Sequence, residues 1–156
     1  MYRVNQDLPR VLEEIPQSSV GAPCPMVVAG ENSLLLAYCL QENRPSASES
    51  CALVSFKRPY AHMFGPPNDE AFSGHPLAVR GLRPHAVFEI ELSSWLHTLE
   101  RMNSVHPFHR PEQFATYKHY VFAFHDTTFE CIAESFTISS RQSRPWAVLA
   151  HVQNEA

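Results

Sequence analysis

His119-Tyr-Val-Phe-Ala-Phe-His-Asp-Thr-Thr-Phe-Glu-Cys-Ile-Ala-Glu-Ser-Phe-Thr-Ile138 decides the fold. Two runs rich in aromatic and β-branched residues flank the polar step His125-Asp126-Thr127-Thr128, which predicts a β-hairpin. If Thr127 and Thr128 are the turn, Asp126 faces Phe129, and His125 faces Glu130 on one side of the sheet. Thr-Thr suits a type I′ turn poorly, so a longer loop capped by Asp126 is the competing geometry. Phe136 and Ile138 extend the second strand. Cys131 falls on the face opposite to His125, which removes it as a thiol partner of that histidine.

Working outward, His85–Leu92 alternates cleanly. Val87, Glu89 and Glu91 share one face, and Phe88, Ile90 and Leu92 share the other, as in a strand with one buried side. Ser93 or Ser94 then caps a helix carrying Trp95, Leu96, Leu99 and Met102, closed by Asn103 and Pro107. Met26–Ala29, Ser33–Leu40 and Cys51–Phe56 predict further strands, and Tyr60–Phe64 continues the same sheet after Lys57-Arg58-Pro59. Residues 5–15 predict a short helix capped by Asp7, with Pro9 in its first turn. A single helical turn follows Pro111, and Trp146–Val152 predicts a terminal strand.

The thirteen prolines leave little room for long helices. Strands outnumber helices and are not separated by regular helix-sized segments. The fold class is therefore α+β: a single domain over 1–156, with a mostly antiparallel sheet and one or two short helices packed on it. A polar flexible loop falls at about 41–50, an irregular loop at 65–84, and a tail after 139.

The chain of 156 residues is long enough for one real core. Its formal charge of −4, from 12 basic and 16 acidic residues, argues against nucleic acid, whose phosphates need a dense basic face. No apolar run is long enough to span a membrane. Cysteines 24, 39, 51 and 131 form no C-x-x-C pair, and no leader segment is legible, so reduced thiols in the cytoplasm are the expectation.

The chemistry concentrates in two places. At the hairpin tip, Glu130 beside His125 would orient the imidazole and raise its pKa, giving a general acid/base in which Asp126 assists. In the 65–76 loop, Asn68, Asp69 and Glu70 offer oxygen ligands, and His75 sits between Gly74 and Pro76. If this loop folds over the hairpin tip, His75 and His125 converge with Asp69, Glu70 and Glu130, a donor set suited to zinc, manganese or iron. Against these stands the plain alternative of a solvated turn. His106-Pro-Phe-His109 has metal-ligand spacing, but Pro107 breaks the helix that would present both rings.

No nucleophile elbow, phosphate-binding glycine loop or H-E-x-x-H helix is present, and the residues resemble no characterised family. The expectation is a small soluble cytoplasmic module that binds a small molecule or a protein. An apolar open sheet edge would add a homodimer. The alternative is a small metal-assisted or acid/base enzyme using His75, His125 and Glu130, with a divalent metal as cofactor.

Overall fold

The computed structural model describes residues 2–43 and 49–155. Its strands are β1 (Leu8–Val11), β2 (Met26–Ala29), β3 (Leu34–Cys39), β4 (Cys51–Lys57), β5 (Ala61–Gly65), β6 (Ala86–Glu91), β7 (Lys118–Ala123), β8 (Thr128–Ala133) and β9 (Ser135–Arg141). The helices are α1 (Ser94–Asn103), α2 (Pro111–Phe114) and α3 (Pro145–Glu155), and 3-10 turns cover Phe72–Gly74 and Ala78–Arg80. The class is α+β, and every pairing is antiparallel.

The strands form two sheets, not one: a five-stranded sheet ordered β1-β6-β7-β8-β5 and a four-stranded sheet ordered β2-β3-β4-β9. Alternation explains why they stack. Tyr120, Phe122, Phe129 and Cys131 line one face of the first sheet; Leu34, Leu36, Val54 and Phe56 line one face of the second. Together they make a single buried core. The outer face of the four-stranded sheet is closed by α3, whose Val148 and Leu149 pack on Ala37, Cys51 and Leu53. The outer face of the five-stranded sheet is closed by Phe72, Leu77 and Leu82, packed on Phe88, Ile90 and Val121.

Two connections exchange sheets side by side. The β4–β5 connection crosses through Arg58, whose φ is +49°, and the β8–β9 connection crosses at Glu134. Glu134 N donates to the Lys57 carbonyl, while its carboxylate takes Lys57 at 2.9 Å and Arg58 at 3.4 Å. The inward positions on β8 are Phe129, Cys131 and Ala133, but on β9 they are Phe136 and Ile138. Glu134 thus shifts the alternation by one residue, as a bulge at a sandwich corner does. Phe136 and Ile138 do not extend the second hairpin strand, and Tyr60–Phe64 does not continue the sheet of β4.

Three further expectations are corrected. Residues 5–15 are not a helix: a turn leads into β1, an edge strand where Pro9 costs no ladder bond. Trp146–Val152 is not a strand but part of α3, started by Pro145, with Val148, Leu149 and Val152 on its inner face. The residues after 139 are therefore no tail. The irregular 65–84 loop carries both 3-10 turns. The polar loop at 41–50 lies partly outside the described residues. No described helix is long and apolar enough to cross a membrane.

Candidate functional site

The five-stranded sheet carries the polar chemistry in two clusters, one at the tip of the β7–β8 hairpin and one on its outer face. The hairpin register sets Ala123 opposite Thr128 and Val121 opposite Glu130, with Phe124–Thr127 as the connecting loop. Phe124 N donates to the Thr127 carbonyl at 2.9 Å. His125 therefore lies in the loop and does not face Glu130, which corrects the two-residue turn. The longer loop wins because Thr-Thr cannot easily supply the positive φ angles of a tight hairpin.

The 65–76 loop does meet the hairpin tip. Thr128 Oγ1 donates to the Pro67 carbonyl at 2.9 Å, and Asp69 N donates to the His125 carbonyl at 2.8 Å. These bonds bring Asp69 Oδ2 to 2.6 Å from His125 Nδ1. The same oxygen lies 3.1 Å from His85 Nε2, and the two imidazoles stack with centroids 6.1 Å apart. His85 is held by a φ of +58° and by Gln17, whose amide donates to the His85 carbonyl. The bond from His125 holds the Asp69 carboxyl below its usual range, and that bond in turn raises the His125 pKa. Asp126 Oδ1 stands 3.8 Å behind His125 Nε2. All three side chains of this cluster are partly open to solvent. Beside it, Arg83, His85, Val87, Phe124 and Tyr38 border a cleft of about 210 Å³.

The second cluster is buried. Glu130 Oε2 lies 2.8 Å from His119 Nε2 and Oε1 lies 3.5 Å from His75 Nε2; the Tyr2 hydroxyl also donates to this carboxylate. Leu77 N donates to His75 Nδ1, so the neutral His75 ring carries its proton on Nε2 and points it at Glu130. Burial pushes the Glu130 carboxyl up. The bonds from His119, His75 and Tyr2 outweigh that and hold it at about 2. Burial also pushes the Tyr2 hydroxyl well up, with the Glu130 charge adding to it.

The structure therefore divides the expected constellation. His125 and Asp69 come together, with Asp126 behind them; Glu130 and His75 come together elsewhere. Glu70 is exposed, and Asn68 Oδ1 accepts Ala71 N, shaping the turn. Sequence reasoning missed His85, His119 and Tyr2. His119 had a signal: with Tyr120, Phe122 and Phe124 facing inward, alternation puts it on the face of Glu130. Cys131 faces the core, where burial pushes its thiol well up. His109 is engaged by Asn103 at 2.9 Å and does not share a ligand position with His106.

No family model matches this chain, and neither a curated protein nor a solved structure is detectably similar to it.

Proposed function

We propose that this chain is a binding domain for a divalent transition-metal ion, held by Asp69, His85 and His125. One observation carries the reading: these residues each offer a donor atom, and the three atoms lie within 4.8 Å of one another. Two imidazole nitrogens and one carboxylate oxygen suit zinc, manganese or iron. Such a set fills three positions of a four- to six-coordinate ion, and the solvent-facing side leaves room for water or a small ligand. Asp126 behind His125 Nε2 is placed to orient that ring, as carboxylates behind ligating histidines do. Metal-assisted hydrolysis is the chemistry this donor set would support.

The test is elemental analysis and zinc titration of protein purified without a histidine tag. One ion per chain, lost in Asp69→Ala and His125→Ala but kept in His75→Ala, supports the site. Wild-type protein that binds no zinc, manganese or iron above background sinks it. A cytoplasmic setting rests on four cysteines standing as free thiols. A homodimer would pair an open sheet edge, and light scattering decides it.

A further inference from the structure

The buried cluster leads to a second site. β6 ends at Glu91, Leu92 follows with a φ of +55°, and Ser93 starts α1. A leucine in the left-handed region is strained and persists only where its surroundings hold it. Here Gln6 donates to the Leu92 carbonyl at 3.0 Å. The result is a sharp strand–turn–helix step that presents Ser93 at the positive end of a ten-residue helix.

The Ser93 hydroxyl has two partners. Its oxygen accepts Leu96 N at 3.1 Å and lies 2.8 Å from His119 Nδ1. Because Leu96 takes a lone pair, the hydroxyl proton is free to point at His119. The other ring nitrogen, Nε2, lies 2.8 Å from Glu130 Oε2, and a carboxylate only accepts. The neutral ring therefore carries its proton on Nε2 and presents a bare lone pair to the serine. Trp95 packs edge-on against the ring at 5.1 Å and Tyr2 stacks at 6.1 Å, so its orientation is fixed. Serine, imidazole and carboxylate stand in the order that acyl-transfer enzymes use, with the roles of the two ring nitrogens exchanged. A cleft of about 670 Å³ between β6, β7, α1 and α2 is lined by Ser93 and His119, with Ile90, Leu92, Leu96 and Phe114 as apolar walls.

We propose that Ser93 is the nucleophile of a serine esterase site, with His119 as its base and Glu130 as the positioning residue, acting on uncharged carboxylic esters with apolar acyl groups. Ser93 Oγ attacks the ester carbonyl carbon while its proton passes to His119 Nδ1. The carbonyl electron pair moves onto oxygen, beside the N-terminus of α1. Collapse of this adduct breaks the bond to the alcohol, which leaves with the proton from His119, and Ser93 is acylated. Water then attacks the acyl carbon, giving His119 a proton that returns to Ser93 Oγ as the acid departs. Glu130 holds the ring in its tautomer and balances the charge that it acquires. The Asp69 cluster takes no part.

The experiment treats the intact chain with a fluorophosphonate and with p-nitrophenyl butyrate. One adduct per chain, mapped by mass spectrometry to Ser93, is expected, together with nitrophenol release above the buffer rate. Ser93→Asn keeps a good helix cap but has no nucleophile; it should lose the adduct and lower kcat by roughly 10³-fold or more. Glu130→Gln should lower kcat by roughly 10²-fold or more while leaving KM near its wild-type value. Adduct mapping on the wild-type chain needs no variant to fold. An unlabelled Ser93 in folded protein, or a folded Ser93→Asn variant that hydrolyses the ester at the wild-type rate, overturns the proposal.

Discussion

His119 and Glu130 grip each other diagonally across the outer face of the five-stranded sheet. The ladder sets Glu130 opposite Val121 and His119 opposite Ile132, yet Nε2 and Oε2 are 2.8 Å apart. The diagonal leaves the second carboxylate oxygen free to meet His75 from the loop that closes this face. A buried carboxylate survives here because its lone pairs are met by donors from three separate segments.

Removing the Glu130 charge should cost stability and flatten its dependence on acid. The folded carboxyl lies at about 2, below the ordinary 4.5, so its contribution is complete above pH 4.5 and is lost as pH falls toward 2. That gap corresponds to about 3 kcal/mol. Glu130→Gln should lower the unfolding free energy at pH 7 by about 1–3 kcal/mol. Urea denaturation at pH 5 and pH 2 should show the wild type losing about 3 kcal/mol more than the variant. Equal losses would mean that the Glu130 carboxyl titrates alike in the folded and the unfolded chain, so that its partners do not hold it down.

Asp7 should act as a clasp between the N-terminal arm and α1. It is fully buried, accepts Arg3 N at 2.7 Å and Ser94 Oγ at 2.6 Å, and also takes Ser94 N at the helix start. Asp7→Ala should cost about 2–3 kcal/mol, because it orphans buried donors and removes a charge from the helix N-terminus. Trypsin cleavage after Arg3 and Arg10 should speed up as the arm loosens. An unchanged cleavage rate would show that the β1–β6 ladder, Gln6 and Tyr2 hold the arm without Asp7.

The strands of the core were legible because their alternation is strong. β2, β6 and the hairpin fall where the apolar pattern puts them, and Ser93 caps α1 as its position implies. The two sheets were not legible as separate, although one clue was present. Phe129, Cys131 and Ala133 keep odd positions, whereas Phe136 and Ile138 keep even ones, and such a slip cannot occur within one regular strand. The helix at Pro145–Glu155 was hidden by its Trp-Ala-Val-Leu run, whose propensities favour neither form over so short a window. At the site, the chain showed which residue types could converge but not how they sort. Asp69 chose His125 through a backbone bond between loop and hairpin tip, a contact without any sequence period.

The aromatic layer between the sheets should dominate stability. Phe122 is fully buried and packs against Tyr38, Phe56, Phe124, Phe129 and Phe136. Phe122→Ala should cost about 3–5 kcal/mol, since a cavity adds to the lost transfer energy. Phe108 is 80% exposed, and Phe108→Ala should stay within about 0.5 kcal/mol of wild type. Thermal melts of both variants compare the two directly.

Asp69 and His125 should titrate as partners, and a metal should compete with their proton. His125 is raised, so its support for the fold is full below the ordinary 6.5 and fades as pH rises through the raised value. Asp69 is lowered, so its support is full above the ordinary 3.8 and fades as pH falls through the lowered value. The pair is therefore strongest between those two limits. Imidazole NMR should place the His125 midpoint above 6.5, and Asp69→Asn should bring it down. Zinc needs both rings without their protons, so its affinity should climb with pH, by about tenfold per pH unit for each ring still protonated, and level off once both are neutral. Titrations between pH 6 and pH 8 read that slope, and a flat affinity across the range would remove His125 from the ligand set.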